Sequence, residues 1–155
     1  MKLHRSVVLR PGFFLLLVLI ISLAACSGQA KSSDEGAKPS NPGGPGEAVD
    51  LTGDAANGAT IFEQNCVSCH GEEGKGGVSN PGAAEPTVPE LNPMDETIVN
   101  ADYKTFATNI DLFIEHGSTA EGDSPTLNML KFGDDKILTP QQIADVIAYV
   151  ISLNK

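Results

Sequence analysis

Five residues constrain this 155-residue chain more than any others: Cys66-Val67-Ser68-Cys69-His70. Cysteines at i and i+3 lie on one side of a helical turn. Both thiols can then reach one edge of a flat macrocycle, with the next histidine beneath its centre. A C-x-x-C-H run is the signature of covalent haem attachment. Cys66 and Cys69 are expected to form thioethers to the two porphyrin vinyl groups, and His70 to be the proximal iron ligand. The expected cofactor is one haem c. Two other chemistries use the same residues. A dithiol redox pair would want a preceding strand and a βαβ context, which the sequence does not offer. A structural zinc site needs four ligands. After residue 26 the sequence adds only His116 and carboxylates to the run.

Charge narrows the partners. Ten basic against 20 acidic residues give a formal charge of -10. Nucleic acid and anionic membrane surfaces would both repel such a chain. Three cysteines leave one unpaired in any disulfide scheme. The N-terminus accounts for it. Lys2, Arg5 and Arg10 precede an apolar run from Phe13 to Ile21. That run is shorter than the roughly 20 residues of a spanning helix, and it has the shape of a secretory signal peptide. It closes on Leu23-Ala24-Ala25-Cys26, which resembles the bacterial lipobox. That resemblance implies cleavage after residue 25 and a diacylglycerol on Cys26. Acyl chains would hold the protein on the extracytoplasmic face of the cell membrane, at about 0.8 kcal/mol per buried CH2. Loss of residues 1–25 removes three cations and no acid, so the formal charge moves to -13. Residues 26–50 are Gly-, Pro- and Ser-rich with no aromatic. They are expected to be a flexible, lipidated linker reaching roughly 25–30 Å.

Residues 51–155 read as a mostly helical head. Asp54 is placed to cap a helix carrying Ala55, Gly58, Ala59 and Phe62 on one face. Tyr103, Phe106, Ala107, Ile110, Phe113 and Ile114 predict a second helix from about Asp102 to His116, with Gly117 beyond its end. Thr108-Asn109 could divide it. Thr139, Pro140 and Gln142 make a capping box with proline at the first helical position. A last helix follows, striped by Ile143, Val146, Ile147, Val150 and Ile151. No stretch alternates convincingly as a strand. Residues 70–100 read as loop.

With these residues in hand, the head resembles a class I c-type cytochrome over essentially all of residues 51–155. Gly58 and Phe62 before the haem motif are similar to the family's N-terminal helix. Ala144-Asp145-Val146-Ile147-Ala148-Tyr149-Val150 is similar to its C-terminal helix. The resemblance implies a small all-α cytochrome c fold in which these two helices cross, Gly58 meeting Tyr149, while loops wrap the haem. It also implies that a Pro-x-Leu carbonyl accepts from the proximal histidine. Pro89-Glu90-Leu91 is the best match, with Pro86 the other candidate. The sixth iron ligand is expected to be Met129, ahead of the last helix, with His116 and Met94 as alternatives. Met129 is followed by Leu130 where the family usually has proline.

An iron with both axial sites filled has no open position for substrate. The expected function is therefore electron transfer, not enzymatic turnover. The protein would carry single electrons between respiratory complexes, such as a quinol-oxidising complex and a terminal oxidase. The partner's docking patch would be basic. A fixed haem subunit of a larger oxidoreductase is the first alternative. A haem enzyme or gas sensor with an open sixth site is the second.

Overall fold

The computed structural model describes residues 43–155. The expected signal peptide, Cys26 and residues 26–42 of the expected linker lie outside the described residues.

Three long helices organise the head. Helix α1 (Ala55–Asn65) is capped by Asp54, whose carboxylate accepts from the Ala56 and Asn57 N–H groups at 2.8 and 3.3 Å. A single turn, α2 (Val67–His70), follows directly and carries the haem motif. Another single turn, α3 (Glu96–Val99), starts at Asp95. Helix α4 (Tyr103–His116) is capped by Asp102 and ends at Gly117. It runs unbroken through Thr108-Asn109. Phe106, Ala107, Ile110 and Ile114 form one continuous buried face there, and their packing outweighs the weak local propensity. Helix α5 (Pro140–Leu153) begins at a complete capping box. The Gln142 N–H donates to Thr139 Oγ1, and the Thr139 N–H donates to Gln142 Oε1 at 2.9 Å. Among the described residues there are no strands, only the isolated bridges Ser79–Thr87 and Ser118–Met129. The architecture is all-α. No described helix is long and apolar enough to cross a membrane.

The core forms where α1 meets α5. Gly58 is packed so closely on α5 that a Cβ there would overlap the Asp145 carbonyl and come within 2.9 Å of Tyr149 Cβ. Only glycine permits that approach. Phe62 then lies against Tyr149, with ring centroids 5.3 Å apart and planes tilted by 59°. Asp145 ties the helix ends together. Its Oδ1 accepts from the Asp54 N–H at 2.8 Å and from Gln141 Nε2 at 2.9 Å. Ile143, Val146, Ile147 and Val150 are buried on the α5 side. The expected helix crossing, with Gly58 against Tyr149, is present.

The folded structure begins earlier than the sequence indicates. Glu47–Asp50 make a 3-10 turn packed against α4 and α5. Ala48 is only 2% exposed, and the Gly46 N–H donates to Asp111 Oδ2 at 2.6 Å. Residues 46–50, read as linker, are thus part of the packed head. Ala48-Val49 is one apolar pair in a Gly- and Pro-rich run, too short to register as a periodic signal.

Candidate functional site

The haem motif is positioned by the kink between α1 and α2. Cys66 is the junction residue: its N–H donates to the Phe62 carbonyl at 2.8 Å, closing α1. The Cys69 and His70 N–H groups both return to the Cys66 carbonyl, at 3.1 and 2.9 Å. The motif is therefore held as one tight turn. Beyond it the chain doubles back. The Gly76 N–H donates to the His70 carbonyl at 2.7 Å. Gly76 has φ +63°, and a Cβ there would stand 2.8 Å from the Pro89 carbonyl carbon. Glycine at 76 lets the returning loop lie against the motif and brings Pro89 beside His70.

Cys66, Cys69 and His70 line one cavity of about 580 Å3. That volume is in the range of cofactor sites. Phe62, Ile110, Ile114, Val146 and Val150, all buried or nearly so, form its apolar wall. Pro89, Met94 and Met129 line it as well. His70 Nδ1 is buried with no hydrogen bond of standard geometry. The Pro89 carbonyl nevertheless acts on the ring, raising its basicity against the larger effect of burial, which lowers it. An N–H buried without a full partner is costly. One facing a carbonyl that tightens when the other ring nitrogen binds iron is what a proximal ligand requires. Pro86 is placed elsewhere. Its carbonyl accepts from the Asn80 N–H at 2.8 Å within a loop closed by the Ser79–Thr87 bridge.

The rival chemistries fit poorly. Burial, and then the neighbouring Cys69, pushes the Cys66 thiol up to about 11. Thiol exchange calls for thiolate. Among the described residues no group of three His, Cys, Asp or Glu side chains could hold a metal ion.

His116 does not line the cavity, which corrects the expectation that kept it open as a sixth ligand. It ends α4 facing the incoming chain. Its Nδ1 lies 3.0 Å from Asp134 Oδ2, and its Nε2 lies 2.8 Å from the Gly44 carbonyl. Both ring nitrogens are engaged. The Gly44 carbonyl first, and Asp134 next, raise its pKa above the ordinary 6.5. Stability from this histidine is therefore complete below pH 6.5 and is lost as pH rises through the raised folded value. Burial likewise raises the carboxyl of Asp111, whose contribution also falls as pH rises. Thermal midpoints should drop as pH rises above 6.5. His116→Gln should flatten the part above pH 6.5, as read by circular dichroism melts; an unchanged slope would rule out the histidine.

The two methionines come from different loops. Met94 follows Pro89 on the returning loop, and its N–H donates to Asn154 Oδ1 at 2.8 Å. Met129 belongs to the loop between α4 and α5. It pairs with Ser118 in both directions, at 2.9 and 3.2 Å. Asn154 and the buried Asn80, which brace these loops, carry no signal in the sequence, since an isolated asparagine reads as a turn residue.

The family model for cytochrome c matches residues 55–154. The chain belongs to the cytochrome c family. As a member of it, the chain carries covalently bound haem c in the small all-α fold described above. Among curated proteins, it is 35% identical over 112 residues to a Cbb3-type cytochrome c oxidase subunit CcoP of Azospirillum sp. (strain B510), covering 68% of this chain and 33% of that protein. A subunit of the same name from Azospirillum brasilense is 32% identical over 106 residues, covering 64% and 31%. One from Cereibacter sphaeroides is 28% identical over 99 residues, covering 63% and 30%. The chain thus spans about a third of the length of these relatives. No solved structure matches it.

Proposed function

We propose that this cytochrome is a one-electron carrier tethered to the extracytoplasmic face of the cell membrane through lipidated Cys26. The observation that carries the reading is the single cavity lined by Cys66, Cys69, His70 and Met129. Haem bound there supplies a one-electron Fe(III)/Fe(II) couple. The chain's own residues do the rest. Cys66 and Cys69 would hold the cofactor by thioethers. His70 would ligate the iron, its ring oriented by the Pro89 carbonyl. Met129 would be the second iron ligand, and its thioether would favour the reduced state. The apolar wall would keep water off the iron. Spectra of the reduced protein with and without CO test this reading. Little change with CO at neutral pH is expected; rapid, complete CO binding would sink it.

The partners in this reading are a quinol-oxidising complex and a terminal oxidase. Acidic residues outnumber basic ones two to one, so a basic docking patch on the partner would steer encounter. The second-order rate of electron transfer should then fall as ionic strength rises. A rate flat across salt would leave the charge a solubility role only.

Similarity to CcoP subunits favours a second reading, in which this chain serves as a haem-bearing subunit of an oxidase. Copurification of this chain with an oxidase through detergent and high salt would favour it over a mobile carrier.

A further inference from the structure

We propose that Asn80 is a positioning residue for the sixth iron ligand: its buried side-chain amide pairs with the Leu127 peptide and so fixes the loop that presents Met129. The inference rests on Met129 as that ligand.

Asn80 is 4% exposed and also lines the cavity. Its Nδ2 donates to the Leu127 carbonyl at 3.0 Å. Its Oδ1 accepts from the Leu127 N–H at 2.8 Å and from the Thr126 hydroxyl at 3.3 Å. A carboxamide is a planar donor and acceptor side by side, as in a peptide group. Here it matches both polar groups of one residue and acts as a strand one residue long. Leu127 stands two positions before Met129. Ser118 grips Met129 itself through the paired bonds described above. The loop is therefore clipped at Leu127 and again at Met129 itself, one on either side of Asn128.

Other bonds join the same two loops farther from Met129. The Thr126 N–H donates to the Pro81 carbonyl at 3.1 Å, and the Ala84 N–H donates to the Glu121 carbonyl at 2.6 Å. These are backbone bonds, available to almost any sequence. The Asn80 pair depends on a side chain. It also reaches both walls of the site, because the loop that bears Asn80 leads on to Pro89 beside His70. A space-filling residue could not do this. Leucine would leave the part-buried Leu127 N–H and carbonyl without these partners. Aspartate would keep the acceptor but set an oxygen against the Leu127 carbonyl.

The test uses the haem-loaded protein and the variants Asn80→Ala, Asn80→Asp and Met129→Ala. Circular dichroism confirms that each retains its helices. Both Asn80 variants should weaken the thioether-to-iron charge-transfer band of the oxidised protein and fall in reduction potential. They should also bind CO about tenfold more readily, since removing two bonds from a buried group shifts a closed-to-open equilibrium by about that factor. Asn80→Asp is decisive because its size is unchanged, so a purely space-filling role would leave its band intact. It also carries the test should Asn80→Ala fail to fold. Asn80 variants that keep the band and stay closed to CO, while Met129→Ala loses the band, overturn the inference alone. A Met129→Ala protein that keeps the band overturns the ligand assignment, and this inference with it.

Discussion

A chain with Cys66→Ser and Cys69→Ser together is expected to emerge without covalently held haem and largely unfolded. The reason is volumetric. The cavity between the motif and the helices measures about 580 Å3, and much of its wall is also core. Phe62, Ile114, Val146 and Val150 are at most 6% exposed. Without haem that space is left unfilled, and the packing haem would supply to the wall is lost. A small domain has only about 5–15 kcal/mol of stability in total from which to lose it. Far-UV circular dichroism and a denaturant titration check the result, alongside absorption after extraction of free haem. Cooperative, native-like melting of the haem-free chain would show that α1 and α5 are self-sufficient.

The same volume explains what could be read from the sequence and what could not. The haem motif was legible because its chemistry needs fixed residue types at fixed spacing. Helices α1, α4 and α5 were legible because each joins a local cap to an apolar stripe, at Asp54, Asp102 and Thr139. The helix crossing followed from Gly58 once the resemblance was noticed. What escaped were contacts made at long sequence separation by residues with no pattern around them. Asn80 meets Leu127 across 47 positions, and Asn154 meets Leu91 across 63. The packed turn at Glu47–Asp50 escaped for the same reason, its anchor being Asp111, 65 residues away from Gly46. The sequence leaves His116 open as an alternative ligand because a position at a helix end says nothing about which way the ring faces. In the structure the incoming chain at Gly44 and the acid at Asp134 claim both of its nitrogens.

That outcome leaves Met129 and Met94 to be separated, and the variant Met129→Ala does so with a large effect. Its reduction potential should fall by on the order of 100–200 mV, a modest part of the roughly 0.8 V that axial ligation commands. A thioether stabilises the reduced iron, so its loss favours the oxidised form. The sixth position should also open, and CO should bind rapidly to the reduced protein. The substitution should not disturb the loop. Met129 is held by its backbone, through Ser118, and its side chain is only half-buried. Met94→Ala is the matching control. Met94 lies on the loop that follows Pro89 and is fastened to the end of α5 through Asn154. Its removal should leave the potential and the charge-transfer band where they were. A spectroelectrochemical titration of both variants reads the answer directly. Should Met94→Ala lose the band while Met129→Ala keeps it, the wall beside Pro89 supplies the sixth ligand, and the loop between α4 and α5 merely closes the cavity.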